Sequence, residues 1–442
     1  MNKLIFLLIW IVIFSMPPLD AFGQQKIIIY FDSTDIIKEK YTILDYDSTR
    51  IDGKYELYYP NGQMALTGNF EDSRKKGKFI EYYSTGIVKR ETSFKTSLMN
   101  GEMKIYNENG NIIQSAIFEN DTLNGELAQY FNNGNTQSIS SFKAGLLDGS
   151  VTKYYSSGKI NEEITYEFGK QNGIHKIYYQ EGGIKSEARY RKGLLDGYFK
   201  TYYPNGQINT EYNNEKGERD GTYQTYSESG NIIKKGYYKD GKIDGTATTY
   251  YESGEVKSLN YYQYGMRIGE SKYYNSQGIP VKKVKFSNDG KDQSIKEYFD
   301  NGDLKAEKFL LNDLSSGTWK YYYHNKSDSL IETYTTGKLN GERIVYDPNG
   351  IVLSEEPYVF GSKSGTIMYF YPSGKIKEEI IYKSNRKHGK YLLYYENGTI
   401  AIQGQYNTNR KVGEWIYSNE NGSTEKKETY ENNRIIREEI IN

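Results

Sequence analysis

The sequence contains no cysteine, and only 8 prolines and 3 histidines occur among its 442 residues. Without cysteine the chain has no disulfide, no thiolate metal site, no cysteine nucleophile and no lipid-modified N-terminal cysteine. The histidines, His175, His324 and His388, show no metal-ligand spacing. A P-loop, a nucleophile elbow and a zinc motif are also missing. We therefore expect no metal, no cofactor and no catalytic residue, and we predict that the protein is not an enzyme.

An excess of charge of either sign is missing as well, because Lys+Arg and Asp+Glu both total 57. Nucleic acids and anionic membrane surfaces attract basic proteins through their phosphates. The balanced charge therefore argues against nucleic acid as a partner.

Long apolar runs are absent except near the N-terminus, where Leu4–Phe14 follows Lys3 and precedes the small-residue pattern Ala21–Gly23. A charged start, a short apolar stretch and small residues are the parts of a secretory signal peptide. The run is too short to span a bilayer comfortably. We predict a signal peptide over residues 1–23, no transmembrane span after its cleavage, and an exported protein that is periplasmic, surface-located or secreted.

Tyrosine and glycine are abundant, with 47 and 44 copies, and the glycines are periodic. A turn glycine and a leading glycine each recur every 24 residues. The turn glycines run over Gly62–Gly302 and Gly350–Gly422, and the leading glycines over Gly53–Gly269 and Gly317–Gly413. The two series lapse once each, at Lys326 and Gln293. A fixed period of this length indicates a repeat architecture, here of about sixteen repeats.

Each repeat is typical of a β-hairpin. A tyrosine-rich strand leads to a tight turn such as Pro204–Gly206, where proline presets φ and glycine takes the left-handed position. A second strand ends in an aromatic residue, and Gly, Asn, Asp or Ser three residues later closes a second turn, as in Lys192–Gly197. We therefore assign both glycine series to turns. No segment of the array has helical periodicity, so we predict almost no helix outside the signal peptide.

This pattern, roughly G-x-Y-x-x-Y-Y-x-N-G-x-I-x(5)-Y-x-x-G-x-x-x-G, resembles the MORN repeat in its bacterial variant form, from about Asp52 to Asn433. The resemblance implies consecutive hairpins joined into one twisted antiparallel sheet, and a non-enzymatic role in binding proteins or membrane lipids. Many bacterial members carry an antitoxin label. We predict an all-β, elongated array of antiparallel β-hairpins. Residues 24–52 would form an N-terminal cap or partial repeat, 53–436 sixteen repeats and 437–442 a C-terminal edge.

Residues alternate between two faces along each first strand. The second, fourth and sixth positions after the leading glycine are mostly apolar or aromatic, as in Tyr55 and Leu57, and the first and third are mostly polar, as in Lys54 and Glu56. We therefore predict one buried face and one solvated face. With few aliphatic residues, the core should be thin and built from tyrosine, whose ring packs while its hydroxyl reaches water.

The fifth position breaks this alternation, because it is aromatic in fifteen of sixteen repeats, with Ser418 the exception. One interpretation is packing, in which a bulge tucks the ring over the neighbouring hairpin. The other is a ladder of exposed rings about 10 Å apart that stack sugars or grip an extended partner. The candidate binding ladder is Tyr58, Tyr82, Tyr106, Tyr130, Tyr154, Tyr178, Tyr202, Tyr226, Tyr250, Tyr274 and Tyr298.

The stretch between Ser287 and Ile331 is irregular, since both glycine series lapse there. It indicates either drift of a surface turn or a bend or partner contact near His324 and Lys326, with Trp319 beside them. Three functions fit the whole sequence. The first is an exported scaffold that binds an unknown protein. The second is binding of carbohydrate or another cell-envelope component through the tyrosine ladder. The third is an antitoxin or immunity-like neutraliser of a partner protein.

Overall fold

The computed structural model describes residues 23–441, and within that range the chain forms strands and turns but no helix. It divides into two compact units, Met1–Asp196 (unit 1) and Gly197–Asn442 (unit 2). In both units successive strands run antiparallel, so the predicted all-β array of hairpins is confirmed. Residues 1–22 of the predicted signal peptide lie outside the described range. Within the described range no helix is long and apolar enough to cross a bilayer.

Unit 1 contains fourteen complete strands, each paired with its neighbours in the chain. They are β1 (Gln24–Tyr30), β2 (Ile37–Leu44), β3 (Gly53–Tyr58), β4 (Met64–Glu71), β5 (Arg74–Tyr82), β6 (Val88–Lys95), β7 (Leu98–Tyr106), β8 (Ile112–Glu119), β9 (Thr122–Tyr130), β10 (Thr136–Lys143), β11 (Leu146–Tyr154), β12 (Ile160–Glu167), β13 (Lys170–Tyr178) and β14 (Ile184–Arg191). The next strand, β15 (Leu194–Tyr202), contains the boundary between the units.

Unit 2 continues the same alternation, with some first strands divided into a two-residue piece and a longer piece. Its strands are β16 (Ile208–Glu215), β17 (Glu218–Tyr226), β18 (Ile232–Lys239), β19 (Lys242–Ile243), β20 (Gly245–Tyr250), β21 (Val256–Gln263), β22 (Met266–Arg267), β23 (Gly269–Tyr274), β24 (Pro280–Phe286), β25 (Gln293–Tyr298), β26 (Leu304–Leu311), β27 (Leu314–Ser315), β28 (Gly317–Tyr322), β29 (Asp328–Thr335), β30 (Lys338–Tyr346), β31 (Val352–Val359), β32 (Ser362–Lys363), β33 (Gly365–Phe370), β34 (Ile376–Lys383), β35 (Arg386–Tyr394), β36 (Ile400–Asn407), β37 (Arg410–Ser418), β38 (Thr424–Glu431) and β39 (Arg434–Ile440).

The turn inside each hairpin has the predicted geometry. In the first repeat the Tyr59 amide donates to the Gln63 carbonyl at 2.8 Å, and the Gly62 amide donates to the Tyr59 carbonyl at 2.9 Å. Gly62 has a φ of 83°, and the register shifts between Leu57 and Tyr58. A turn followed by a left-handed glycine and a bulge is the geometry that this sequence pattern predicts.

The turn between hairpins places two consecutive residues in the left-handed region, for example Asp72 at φ 47° and Ser73 at φ 61°. Two left-handed residues make a type I′ turn, whose twist matches that of the flanking strands. Asn, Asp and Gly tolerate this conformation best, which is why they recur three residues after the end aromatic. The predicted second turn is therefore confirmed.

The leading glycines do not lie in that turn, and our assignment of them was wrong. Gly197 lies within β15, three residues after the strand begins, and has a φ of 117°. Gly149 lies within β11 at φ 110°. The pairing of β11 with β10 shifts register between Ser140 and Phe142. In these bulges the leading glycine has a positive φ, which glycine adopts without steric cost.

The lapse at Gln293 supports this role of the leading glycines. Between β24 and β25 the pairing is continuous and reaches Phe286 opposite Gln293, with no bulge. The residue that would form the bulge lies instead in a longer turn between the two strands, in which the Ser287 amide donates to the Asp292 carbonyl at 3.0 Å. Because no bulge forms, the chain needs no glycine there.

In each unit the core is a column of residue pairs on one face of the sheet, which we call the core face. The second residue after each leading glycine lies opposite a residue on the second strand, as in Met103 opposite Ala116 and Ile367 opposite Ile380. These four side chains are at most 8 % exposed. Sizes along the column compensate, because a methyl group added at Gly404 would overlap the Trp415 ring. The column packs like other protein interiors, with a large residue beside a small one.

The opposite face carries the ladder tyrosines, and we call it the ladder face. We predict a solvated face here from the sequence, but the structure buries some of its charged side chains. Glu56 is only 5 % exposed, and its carboxylate accepts from the Tyr58 hydroxyl at 3.0 Å. Its oxygens also pair with the Lys40 and Lys54 ammonium groups at 3.1 and 2.5 Å. Burial of a charged group is tolerated there because every partner it needs is present.

Candidate functional site

The candidate ladder is half-buried throughout, since all eleven of its tyrosines are neither enclosed nor openly exposed. In each hairpin that the structure describes, the strand pairing shifts register next to the ladder residue. Examples are the shifts between Lys153 and Tyr154 and between Thr225 and Tyr226. The ring therefore leaves the strand at a bulge and lies over the sheet, which is the geometry of the packing interpretation. A binding role for the ladder stays a prediction.

Several ladder hydroxyls bond to side chains fifteen residues earlier, on the preceding hairpin. Tyr178 donates to Glu163 at 2.5 Å, and Tyr226 donates to Glu211 at 2.6 Å. Burial, followed by this hydrogen bond to a carboxylate, raises the pKa of Tyr178 to about 12. Where lysine takes the place of glutamate, the Lys235 ammonium lies 5.4 Å from the Tyr250 ring centre. These contacts hold neighbouring repeats in a fixed relation.

The residue after each ladder position supplies a second tie between repeats. When it is tyrosine, its hydroxyl donates to the backbone carbonyl of the next ladder residue, 23 positions on. The bonds are 2.7–3.0 Å long for Tyr59, Tyr83, Tyr155, Tyr203, Tyr251, Tyr323, Tyr371 and Tyr395. A carbonyl beside a bulge lies outside the regular hydrogen bonding between strands. The tyrosine hydroxyl therefore satisfies a group that would otherwise lack a partner.

Several repeats use a different residue at this position and a different bond. Asn107, Asn275, Asp347 and Asn419 each accept from two backbone amides of their own turn, at 2.8–3.1 Å. Asn and Asp commonly cap turns in this way. The position therefore stabilises the repeat either by joining it to the next hairpin or by fixing its own turn.

The irregular stretch near His324 keeps the hairpin turn of the other repeats. Lys326 takes the place of the turn glycine at φ 71°, and the Tyr323 amide still donates to the Ser327 carbonyl at 2.9 Å. The His324 ring stacks on Phe299, with ring centres 3.8 Å apart. Trp319 is half-buried and donates through Nε1 to a backbone carbonyl at 3.0 Å. The local geometry agrees with drift, and a partner contact here stays a prediction.

The histidines do not converge. His175 lies 2.8 Å from a Glu162 oxygen on the core face, His324 stacks as described, and His388 is exposed. Across residues 23–441 no group of three or more His, Asp or Glu side chains is arranged to hold a metal ion.

Sequence reasoning missed three exposed aromatic rings in unit 2. Tyr237, Tyr261 and Phe309 are 42, 39 and 38 % exposed and occupy the same position in their repeats, sixteen residues after the leading glycine or its Gln293 replacement. Tyr237 lies opposite Thr222 and Tyr261 opposite Thr246, which places them on the ladder face. Because most other repeats have small or polar residues at this position and none of them has an aromatic one, the three aromatic residues were the available signal.

A shallow depression of about 240 Å³ lies beside Tyr237. Its lining includes Thr222, Lys235, Gly236 and Thr246. Glycine is required at this point, because a methyl group there would lie 2.6 Å from the Tyr223 ring on the core face. The result is an exposed ring next to a shallow hollow whose lining includes the side chains of Thr222 and Thr246.

Three further aromatic side chains project from type I′ turns. Phe168, Tyr264 and Phe360 have φ values of 46, 49 and 46° and are 70, 53 and 63 % exposed. They occur at intervals of 96 residues in the sequence, which is four repeats. Both the positive φ and the exposure are unfavourable for an aromatic residue.

Comparison with known proteins agrees with this geometry. The MORN repeat variant family matches eleven segments, which together cover more than half of the chain: 51–72, 75–96, 99–120, 147–167, 171–192, 195–213, 219–240, 243–264, 339–359, 363–384 and 387–408. No curated protein matches the chain.

Among solved structures, the chain is similar to two described as the crystal structures of TcdB2-TccC3 and TcdB2-TccC3-Cdc42. The sequence identities are 12 and 11 % over 91 and 90 % of this chain, with TM-scores of 0.14 and 0.13. This chain spans only 27 % of either of those chains. TM-scores this low do not indicate a shared fold or a shared function. The family match, the 24-residue period and the hairpin geometry agree with one another, and the chain belongs to the MORN repeat variant family.

Proposed function

We propose that the protein is a non-enzymatic, exported scaffold that binds another protein through the ladder face of unit 2. The observation that carries this proposal is the set of exposed rings at Tyr237, Tyr261 and Phe309. Aromatic residues are enriched at protein interfaces, where they contribute much of the binding energy. Tyr237 and Tyr261 come from successive hairpins, so their rings would contact one partner about 10 Å apart.

The framework around these rings supports binding without a large ordering cost. The rings stand on hydrogen-bonded strands rather than on long loops, and ladder tyrosines such as Tyr226 are held by their hydroxyl bonds. Binding therefore orders little of the protein. Between Tyr261 and Phe309 the equivalent pair is Lys285 opposite Glu270, which gives the surface charges of both signs. A mixed surface of this kind suits a protein partner better than a strongly charged polymer.

Export rests on the sequence of the first 23 residues, in which Lys3 precedes the apolar run Leu4–Phe14. Fractionation of cells that express the chain tests this part of the proposal. We expect a shortened protein outside the cytoplasm. A full-length chain in the cytoplasmic fraction would contradict export.

The binding test is capture of partners from cell-envelope extracts by the full chain. We expect one protein to be retained in near-stoichiometric amounts, and to be lost when Tyr237, Tyr261 and Phe309 are changed to threonine. Threonine favours strands, so the variant should stay folded. The control changes Ile117 and Ile174 to threonine, which are 42 and 46 % exposed on the ladder face of unit 1. Equal retention by both variants would refute the site, and retention of no protein would refute the proposed function.

A second candidate function is supported by the depression beside Tyr237. An aromatic ring next to the hydroxyls of Thr222 and Thr246 offers stacking and hydrogen bonding, the two contacts that sugars require. The same triple variant and control, incubated with purified cell-wall glycans, test this alternative. Glycan binding that requires Tyr237, together with capture of no protein, would favour it. A captured protein that is toxic when expressed alone would instead identify a neutralising role.

A further inference from the structure

The rim of unit 2 formed by the turns between hairpins carries three apolar points. Exposed side chains lie at the turns around residues 264, 312 and 360, and are 46–63 % exposed. They are Tyr264 and Met266, Leu311 and Leu314, and Val359 and Phe360. The equivalent turns between and beyond them carry charged residues instead: Lys239 and Lys242, Asp289 and Lys291, Lys338, and Lys383 and Arg386. The apolar points therefore form a bounded surface, which we call the turn rim.

Local preference works against these residues. Tyr264 and Phe360 hold the left-handed position of a type I′ turn at φ 49 and 46°, where Asn, Asp and Gly are favoured. Leu311 pairs with Leu314 across the Asn312–Asp313 turn, at a place where many other repeats put polar or charged residues. Neither turn geometry nor the core of unit 2 requires apolar side chains here. An interaction that covers them would account for their presence.

The spacing of the three points is symmetrical. Consecutive points are 48 residues apart, which is two hairpins or about 19 Å at the usual distance between strands. The middle point, the Asn312–Asp313 turn, lies halfway between the other two. A rim with this arrangement is self-complementary: when a copy is rotated by a two-fold axis through the middle turn, apolar points meet apolar points.

We propose that the turn rim binds a second copy of this chain in an isologous, antiparallel dimer with its two-fold axis at Asn312–Asp313. Leu311 of one copy then contacts Leu314 of the other, and the reverse contact follows by symmetry. Met266 meets Val359 of the second copy, and Tyr264 lies beside Phe360 of the second copy. A second copy of the chain fits as the partner because its turn rim carries apolar points at the same spacing.

The charges of the intervening turns agree with this pairing. The same axis places the turn that carries Asp289 and Lys291 opposite the turn around Lys338 of the second copy, and Asp289 is the anion that would pair with Lys338. Both residues are exposed, and within residues 23–441 neither forms an ion pair in its own chain. Opposite charges that meet across an interface fix its register.

The absence of cysteine provides a direct test in the full chain. A residue on a two-fold axis lies close to its own copy, so Asn312→Cys should form a disulfide-linked dimer under mild oxidation. Ser384→Cys is the matched control, since Ser384 holds the same turn position at φ 47° against 50° for Asn312. That variant should remain unlinked. Met266→Cys and Val359→Cys should link to each other when mixed, but neither should link to itself.

The mass of the unmodified chain in solution gives an independent readout. We expect twice the chain mass, and a dimer dissociation constant that rises at least tenfold in Leu311→Glu, while Ser384→Glu changes it less than twofold. The inference is overturned if the chain stays monomeric, or if the Asn312 and Ser384 cysteine variants link equally. Self-linking of the Met266 cysteine variant would also overturn it, because a different contact would then join the copies. These results do not depend on the partner captured by the ladder face, so the two proposals can fail separately.

Discussion

The core column makes a quantitative prediction at Gly404, whose missing side chain leaves room for the Trp415 ring. Gly404 lies in β36 with ordinary strand φ, so alanine can adopt its backbone conformation. In the natural sequence the new methyl group overlaps the indole, and such overpacking costs about 1–3 kcal/mol. In a Trp415→Leu background the space is free. The same change should then stabilise the fold by about 0.4–1 kcal/mol, because alanine restricts the unfolded chain.

The measurement is amide hydrogen exchange of β36 and β37, which reports the free energy of local opening. A global melting curve is less suitable, because long repeat arrays lose two-state cooperativity. We expect the effect of Gly404→Ala to change sign between the two backgrounds, with a coupling of about 1.4–4 kcal/mol, which is the cost in one background plus the gain in the other. Gly398→Ala is the control, since Gly398 has a φ of 93° and open space around it. It should destabilise both backgrounds equally. An equal effect of Gly404→Ala in both backgrounds would refute the account of the core.

Three further predictions concern the polar contacts. Tyr155→Phe should lower the free energy of local opening by about 1 kcal/mol, because it removes the bond to the next repeat, and Tyr155→Asn should partly restore it by capping its own turn. The Lys54 ammonium, with other donors, lowers the pKa of Glu56 from 4.5 to about 2. Its stabilisation is present above pH 4.5 and lost as the pH falls towards 2, so hydrogen exchange in β3 should accelerate over that window, and less so in Glu56→Gln. Arg343 contacts Glu332 and Glu356 at 3.2 and 3.3 Å, and Arg343→Met should lower the free energy of local opening by about 3 kcal/mol, measured by hydrogen exchange in β30, whereas Arg343→Lys should cost less.

Much of the fold could be predicted from the sequence because it depends on local rules. The turn glycine at Gly62 and the left-handed pair at Asp72 and Ser73 follow from the conformations that these residue types prefer. The period of 24 residues then repeats the same hairpin, so one correct hairpin determines the others. Strand parity also placed Tyr226 on the same face as its bonding partner Gln224.

The predictions from sequence were wrong or incomplete where the backbone conformation or the exposure of a residue depends on a neighbouring strand. A leading glycine such as Gly149 and a glycine in a turn have the same local signature, and only the register of the paired strand shows that it forms a bulge. Glu56 is polar by type, but the Tyr58 ring and two lysines from adjacent positions enclose it. Tyr237 is an aromatic residue, which residue type alone would place inside, but it lies opposite Thr222 on the paired strand and is 42 % exposed. Sequence pattern alone does not give these contacts.

The central claim is that the ladder face of unit 2 binds a protein, and site-specific crosslinking in cells tests it most directly. A photoreactive amino acid replaces Tyr261, which is 39 % exposed on that face. Glu252 is the control, because it is exposed at a turn inside a hairpin and away from the three rings. The account predicts one crosslinked protein from position 261 and none from position 252. Identical adducts from both positions, or none from position 261, would contradict it.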